Sequence, residues 1–347
     1  MKTILVTGGL GYIGSHTCVE LLKSDYEVIV IDNLNNSKEE VKQRIEKITN
    51  KKIKFYYGDV RNKILLESIF NDNRIDAVIH FAGLKSVGES NHQPLDYYDN
   101  NLGSTITLLE IMKKNNIKNI VFSSSATVYG DNANVPINED CEIGNGNCPY
   151  ARTKIIIETI LNDLYDSDND WNIIILRYFN PIGAHPSGLI GENPNGIPNN
   201  LMPYIAQVAS GKQEYLKIYG NDYETKDGTG IRDYIHVCDL AKGHVSAINN
   251  ILKKTGLKIY NLGTGIGYSV FDVVHTFEKV SGKTIDYKIV DRRQGDIAIS
   301  YTDPSKAYKE LNFKATNTLE DMCKDQWNWE QKQNSWNHFL IALLIKK

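Results

Sequence analysis

The stretch from Lys2 to His16, KTILVTGGLGYIGSH, constrains this chain more than any other. Ile4, Leu5 and Val6 form a short apolar run of the kind buried on both faces of a parallel sheet. The run passes directly into Gly8, Gly11 and Gly14, then into a segment whose apolar residues (Ile13, Cys18, Leu21, Leu22) read as a helix. Strand, glycine turn and helix in that order suit a pyrophosphate. The glycines allow a sharp bend and close approach of backbone to ligand, and the helix start offers free N–H groups. A second strand, Val28 to Ile31, ends in Asp32. A carboxylate there accepts from both ribose hydroxyls of an adenosine and repels a 2′-phosphate, so NAD is favoured over NADP.

Strand and helix signals alternate through the first half, as expected of an α/β, Rossmann-type doubly wound parallel sheet. A helix is expected around Ser37 to Ile48, a strand at Lys54 to Tyr57, and a helix ending near Phe70. A strand from Asp76 to Phe81, a helix through Leu108 to Lys114 and a strand from Asn119 to Ser123 follow. A helix from Pro149 to about Tyr165 and a strand from Asn172 to Arg177 complete six parallel strands. From Asn180 to Asn200 the chain is rich in Gly, Pro and Asn and too irregular for core elements. Beyond it, helices are expected at Leu201 to Ala209, Leu240 to Ile251 and Phe271 to Val280, and strands at Leu216 to Tyr219, Ile259 to Leu262 and Ile285 to Val290. The expected division is an NAD-binding domain over 1–180 and a smaller C-terminal substrate-binding lobe over 181–347, with some segments returning to the sheet.

Composition narrows the class. With 347 residues, 41% of them hydrophobic, the chain can build a sizeable core. A net charge of −3 gives no electrostatic case for nucleic acid or an anionic membrane. The five cysteines (Cys18, Cys141, Cys148, Cys238, Cys323) are scattered and form no C-x-x-C pair, which argues against a disulfide framework or a zinc site and fits a reducing compartment. The chain opens on its first strand, leaving no room for a signal peptide. Its most membrane-like run, Phe339 to Ile345, is far short of the ~20 residues needed to span and is expected to be a packed or disordered tail. A soluble, cytoplasmic protein is expected.

In open α/β sheets the ligand sits beyond the carboxyl ends of the strands, so the polar residues there carry the chemistry. The strand at Asn119 runs into Ser123-Ser124-Ser125-Ala126-Thr127, and the helix after it opens with Tyr150-Ala151-Arg152-Thr153-Lys154. Tyr150 and Lys154 fall one turn apart on one helix face. A free phenol, with a pKa near 10, is a poor base at neutral pH. An ammonium within about 4 Å contributes on the order of 4 kcal/mol at an effective dielectric near 20, or roughly 3 pK units. That brings a tyrosinate within reach, with an oxidised nicotinamide pushing the same way. Tyr150 would then move the proton of a hydroxyl being oxidised while Ser125 hydrogen-bonds it. With 20 tyrosines and 39 lysines and arginines, a Tyr-x-x-x-Lys/Arg pair arises by chance roughly twice. The position after the fifth strand of an NAD fold gives this one its meaning.

The sequence resembles the UDP-glucose (UDP-galactose) 4-epimerases of the extended short-chain dehydrogenase/reductase family, from Lys2 to about Trp329. The matching stretches are Thr7 to His16, Asp32 to Leu34, His80 to Ser90, Tyr97 to Asn101, Phe122 to Gly130, Leu176 to Gly188, Gly191 to Gln207, Gly220 to Tyr223 and Asp227 to Val237. The resemblance implies that NAD contacts Gly8, Gly11, Tyr12, Ile13, Gly14, Asp32, Asn33, Asn36, Ser37, Asp59, Val60, Phe81, Ala82, Lys85, Asn100, Tyr150, Lys154 and Tyr178. It implies that Asn180, Asn200, Leu201, Tyr219, Arg232, Arg293 and Asp296 hold the uridine diphosphate, while Lys85, Ser125, Thr127, Tyr150 and Ser300 face the sugar. Arginine suits bidentate phosphate contacts, which agrees with Arg232 and Arg293. The implied reaction is reversible inversion at C4 of a UDP-hexose through a 4-keto sugar, with Tyr150, Lys154 and Ser125 catalytic and NAD tightly held. A homodimer through helices at about Asp96 to Lys114 and Tyr150 to Tyr165 is also implied.

Two departures bear on specificity. The loop Gly144-Asn145-Gly146-Asn147-Cys148 carries an extra residue, and loops absorb such insertions. Ser300 stands where family members differ in bulk, and a small residue there leaves room for a 2-N-acetyl group. Acceptance of UDP-N-acetylglucosamine is therefore expected. A nucleotide-sugar 4,6-dehydratase needs an acid and base beyond C4, and the related family carries Thr-Asp-Glu where this chain has Ser125-Ala126-Thr127, so that reading is disfavoured. A catalytically silent NAD-sensing regulator could have lost Ser125, Tyr150 and Lys154, and all three are present.

Overall fold

The structure, a computed structural model, describes residues 1–131, 134–196, 198, 200–253, 256–293 and 295–345, with the backbone alone over 334–345. The first half alternates as its periodicity dictates: β1 (Thr3–Thr7), α1 (Tyr12–Lys23), β2 (Glu27–Asp32), α2 (Glu40–Thr49), β3 (Lys54–Tyr57), α3 (Lys63–Asp72), β4 (Ala77–His80), α4 (Val87–His92), α5 (Pro94–Lys114), β5 (Asn119–Ser125), α6 (Pro149–Ser167) and β6 (Asn172–Tyr178). The second half holds β7 (Asn180–Ile182), α7 (Leu201–Ala209), β8 (Leu216–Tyr219), β9 (Ile231–His236), α8 (Val237–Ile251), β10 (Leu257–Leu262), β11 (Gly267–Ser269), α9 (Val270–Ser281), β12 (Tyr287–Val290), β13 (Ile299–Ser300), α10 (Ser305–Leu311) and α11 (Leu319–Ile345).

The main sheet is parallel throughout, in the order β10-β6-β5-β4-β1-β2-β3. Six strands were expected, and β10 makes a seventh. It pairs with β6 from Leu257 against Ile173 to Leu262 against Tyr178, which covers an edge that six strands would leave open. The order reverses between β1 and β4, so the crevice at that switch point is the natural ligand site.

Alternation along each strand assigns its two faces. Ile4, Val6, Val28 and Val30 pack with Cys18, Leu21 and Leu22 of α1 and Leu240 and Ile248 of α8. Leu5, Ile29 and Ile31 pack with Leu66 and Ile69 of α3, Leu108 and Met112 of α5, and Ile157 and Leu161 of α6. A third core joins Met202 and Ile205 of α7, Val273 and Phe277 of α9, and Met322 and Cys323 of α11 to Ile218 and Tyr234. Beside it, β9 pairs with β7, β11 and β13, and β8 pairs with β12.

Element ends follow local chemistry. Asn62 caps α3 by accepting from the Leu65 amide, and Ser269 and Asp272 form a reciprocal capping box on α9. Pro94 starts α5, as proline does in a first turn, close to the start at about Asp96 that the resemblance implies. Val237 starts α8 because the His236 ring accepts from the Cys238 amide. The tail expected from Phe339 to Ile345 has helical backbone at the end of α11, and its side chains lie outside the described residues. Among the described residues no helix is long and apolar enough to cross a membrane.

Ile175 lies at the centre of β6 with no exposed surface. Ile175→Ala is expected to cost about 2–5 kcal/mol of unfolding free energy in a denaturant titration.

Candidate active site

The glycine turn is jammed shut. Gly8 takes φ +68°, and its N–H donates to the Ile31 carbonyl at 2.8 Å. A Cβ on Gly14 would lie 2.3 Å from the Gly8 carbonyl oxygen, and one on Gly8 2.9 Å from the Ala82 nitrogen. So α1 can press against the turn only with glycine at 14, and the chain after β4 can approach the turn only with glycine at 8. Gly11, the N-cap of α1, has no side chain to take up the first-turn amides of Tyr12, Ile13 and Gly14, which leaves them for a ligand. Asp32, 7% exposed at the end of β2, is held rigidly. One carboxylate oxygen accepts from the Leu34 amide at 2.9 Å and the Ser37 hydroxyl at 2.8 Å, and the other accepts from the Leu10 amide at 3.0 Å. Ser37 therefore serves Asp32 rather than starting a helix, and α2 begins at Glu40.

The other strand ends converge on the same edge. After β3, Asp59 accepts from Asn33 at 3.2 Å and from Arg61, whose guanidinium holds it at about 2, beside the buried Val60. After β4, the amides of Phe81 and Ala82 donate to the Thr7 carbonyl and hydroxyl at 3.1 and 3.2 Å. Lys85 follows, its Nζ 2.9 Å from a Glu192 carboxylate oxygen. Asn36 accepts from the Asn195 amide at 3.0 Å. Asn100, on α5, donates to Asn101 at 3.0 Å. Tyr178, ending β6, donates to His244 Nε2 at 2.5 Å, because His244 Nδ1 lies 2.8 Å from the Leu240 carbonyl and carries the proton.

At the end of β5, Ser125 Oγ accepts from the Thr127 amide at 3.3 Å and from the Thr127 hydroxyl at 3.0 Å. Its own proton is thereby free to point to Tyr150 or a sugar hydroxyl. Tyr150 and Lys154 lie one turn apart on α6, whose N-cap is Cys148, its sulfur accepting from the Ala151 amide at 3.4 Å. Lys154 Nζ donates to the Ser123 carbonyl at 2.6 Å and stands 5.9 Å from the centre of the Tyr150 ring. Burial lowers Lys154 to about 8, with Glu158 opposing the shift. Burial likewise pushes Tyr150 up to about 12, against a downward pull from the Ser125 hydroxyl. The carbonyl takes the ammonium because a buried donor needs a partner and the strand end supplies one within reach.

The substrate-side residues gather around β9 and the start of α7. Asn180 lies opposite Tyr234 in the β7–β9 pair, and Ser300 opposite Arg232 in the β13–β9 pair. Arg232 approaches Asp296 at 3.9 Å and donates to the Ile231 carbonyl at 2.9 Å. The Arg293 guanidinium sits 3.8 Å over the Tyr219 ring. Asn200, the N-cap of α7, leaves that helix uncapped by its side chain and donates instead to Glu192 at 2.7 Å. A cavity of about 400 Å³ lined by Lys226, Asp272 and Glu320 includes none of these residues.

Comparison with known proteins decides the family. A family model described as GDP-mannose 4,6 dehydratase matches residues 5–326. The UDP-glucose 4-epimerase of Bacillus subtilis is 59% identical over 327 residues, covering 94% of this chain and 96% of that protein. That of Dictyostelium discoideum is 57% identical over 328 residues, covering 94% and 95%. The crystal structure of UDP-glucose 4-epimerase from Bifidobacterium longum in complex with NAD+ and UDP superposes with a TM-score of 0.94 at 54% identity, covering 96% of this chain and 99% of that one. The chain belongs to the UDP-glucose 4-epimerase family.

One part of this epimerase-family site escapes sequence reasoning. Beneath Ser125, Glu158 accepts from Arg177 Nη2 at 2.7 Å, Arg177 Nε at 3.1 Å and Ser124 Oγ at 2.5 Å. Arg177 also donates to Tyr129 Oη at 2.9 Å, and Tyr129 donates to Asn261 at 2.6 Å. Glu158 and Arg177 are each 2% exposed. With Lys154 bonded to Ser123 and Glu158 to Ser124, α6 grips the end of β5 at two successive residues and so sets Ser125. The available signal was the spacing of Tyr150, Lys154 and Glu158, which puts all three on one helix face. Glu158→Ala leaves Arg177 buried without its carboxylate and is expected to cost about 3–5 kcal/mol of stability, measured by chemical denaturation.

Proposed function

We propose that this chain interconverts UDP-galactose and UDP-glucose by inverting C4 of the sugar through a transient 4-keto form. The observation that carries this is the placement of Ser125, Tyr150 and Lys154 beside the switch point of a sheet whose glycine turn leaves the first-turn amides of α1 without a side-chain cap. The bare start of α1 and the fixed carboxylate of Asp32 fit an NAD with free ribose hydroxyls. We assign that role to Gly8, Gly11, Tyr12, Ile13, Gly14, Asp32, Asn33, Asn36, Ser37, Asp59, Val60, Phe81, Ala82, Lys85, Asn100, Tyr150, Lys154 and Tyr178. Bound there, NAD supplies the acceptor and donor for the C4 hydride and, when oxidised, a positive charge that opposes the effect of burial on Tyr150.

Tyr150 accepts the 4-hydroxyl proton as C4 is oxidised and returns it when C4 is reduced. Ser125 orients that hydroxyl, and Thr127 orients Ser125. Lys154 keeps a positive charge on the same helix face and fixes the Ser123 carbonyl. Inversion requires the keto sugar to present its other face, so the nucleotide must carry the binding while the hexose turns. Asn180, Asn200, Leu201, Tyr219, Arg232, Arg293 and Asp296 suit that task. The two guanidiniums meet the diphosphate, and the uncapped start of α7 adds N–H groups.

A 4,6-dehydratase would need a carboxylate near Ser125. Residue 126 is alanine, and Glu158 already accepts three hydrogen bonds from Arg177 and Ser124. We further propose a cytoplasmic homodimer divided at about residue 180. Exposed Leu95 and Ile106 on α5 and Ile156 on α6 support the pairing face, and five unbridged cysteines agree with a reducing compartment.

Purified protein is expected to form UDP-glucose from UDP-galactose without added NAD, with Tyr150→Phe roughly a hundredfold to ten-thousandfold slower. A 4-keto-6-deoxy product would make it a dehydratase, and bound NAD without turnover would make it a regulator. Ser300 is small, while the Tyr301 ring packs toward Gly267 rather than into the place beside Arg232. UDP-N-acetylglucosamine is therefore expected to be epimerised as well. Good UDP-galactose turnover with none on the acetylated sugar would refute that extension.

A further inference from the structure

The chain from Gly183 to Asn195 is tied to residues of the dinucleotide cluster. Tyr12 Oη donates to the Gly183 carbonyl at 2.6 Å. The Asn195 amide donates to Asn36 Oδ1 at 3.0 Å, and Asn195 Nδ2 to the Asn35 carbonyl at 2.8 Å. From behind, Asn328 and Lys332 of α11 donate to the carbonyls of Pro186 and Ser187 at 2.8 and 2.5 Å. Between these ties stands Glu192. Its side chain is 6% exposed, yet it carries a carboxylate, which is costly to bury without partners. One of its oxygens accepts from Lys85 Nζ at 2.9 Å and from Asn200 Nδ2 at 2.7 Å. Lys85 follows β4, while Asn200 immediately precedes the first turn of α7. Two residues from separate parts of the chain therefore meet on one buried anion.

We propose that Glu192 is a positioning residue that holds Lys85 and Asn200 in place, keeping the chain around Glu192 against the dinucleotide site and aligning the nucleotide end of the substrate. This rests on the epimerase reading above. Because Asn200 gives one amide proton to Glu192, its carbonyl oxygen and remaining proton are presented in a fixed direction, and its own helix start stays free. Because Lys85 is half exposed, its ammonium would otherwise sample many rotamers, and the charge-assisted bond removes that freedom. Glu192 touches none of Ser125, Tyr150 or Lys154 in its hydrogen bonds, so its loss acts on retention and binding rather than on proton transfer.

The test is Glu192→Gln, which keeps the volume and the acceptor oxygen but removes the charge, with Glu192→Ala as the harsher form. Bound NAD released on denaturation, KM for UDP-galactose and kcat at saturating NAD are measured for each, with thermal melting in excess NAD as the check on folding. Glu192→Gln is expected to melt like the parent, lose NAD on dilution about tenfold faster and raise KM about tenfold, with kcat within a fewfold once NAD is supplied. A folded Glu192→Gln that retains NAD and KM at the parent values overturns the inference, as does a variant whose only change is in kcat. A parent protein that carries no NAD and turns over no UDP-galactose instead overturns the underlying reading, and this inference with it.

Discussion

The close approach of Gly14 to the Gly8 carbonyl is the contact on which the rest of the molecule depends. No side chain fits between α1 and the turn that precedes it, so the helix starts flush with the end of β1. Everything that gives the site its polarity then follows from the parallel sheet. All strands of that sheet end on the same side, and the residues immediately after β1, β2, β3, β4, β5 and β6 gather along one edge. Packing on both faces fixes the register of those ends to within a hydrogen bond. The chemistry is therefore arranged by backbone geometry first and by side chains second.

At the reacting end the structure trades simple pairing for support from below. The Lys154 ammonium is bonded to a carbonyl and the phenol of Tyr150 is enclosed, and burial disfavours the charged form of both. The buried Glu158–Arg177 pair makes no net charge, and its value lies in geometry: it holds Ser124 while Lys154 holds Ser123. A hydroxyl at Ser125 is then delivered to a fixed place at the mouth of a cleft. Small displacements of such a hydroxyl matter, because proton transfer depends on hydrogen-bond reach.

Much of this was legible in the sequence, for identifiable reasons. The glycine turn, Asp32 and the helix bearing Tyr150 and Lys154 announce themselves through local spacing, which a linear reading detects well. What escaped was either short or distant. The strand β9 carries Arg232, Asp233 and His236 among its six residues, and so lacks the apolar signature of the main sheet. The helix α4, VGESNH, is mostly polar, and α11 mixes charges with tryptophans, so neither shows a clean stripe. The links from Tyr129 to Asn261 and from Glu192 to Lys85 join residues more than a hundred positions apart, and no local pattern encodes them. The bond from Lys154 to the Ser123 carbonyl was hidden for a different reason: spacing places two side chains on one face but does not say which acceptor a buried ammonium will choose.

The strand β10 carries a consequence for how the molecule can move. It belongs to the second half of the chain, yet it is zipped to β6 along its whole length, residue for residue. A hinge cutting the chain at residue 180 would have to shear that ladder, at the cost of every bond in it. β10 therefore moves with the main sheet, and any swing of the smaller lobe must pivot where the chain leaves β6 and where it enters and leaves β10.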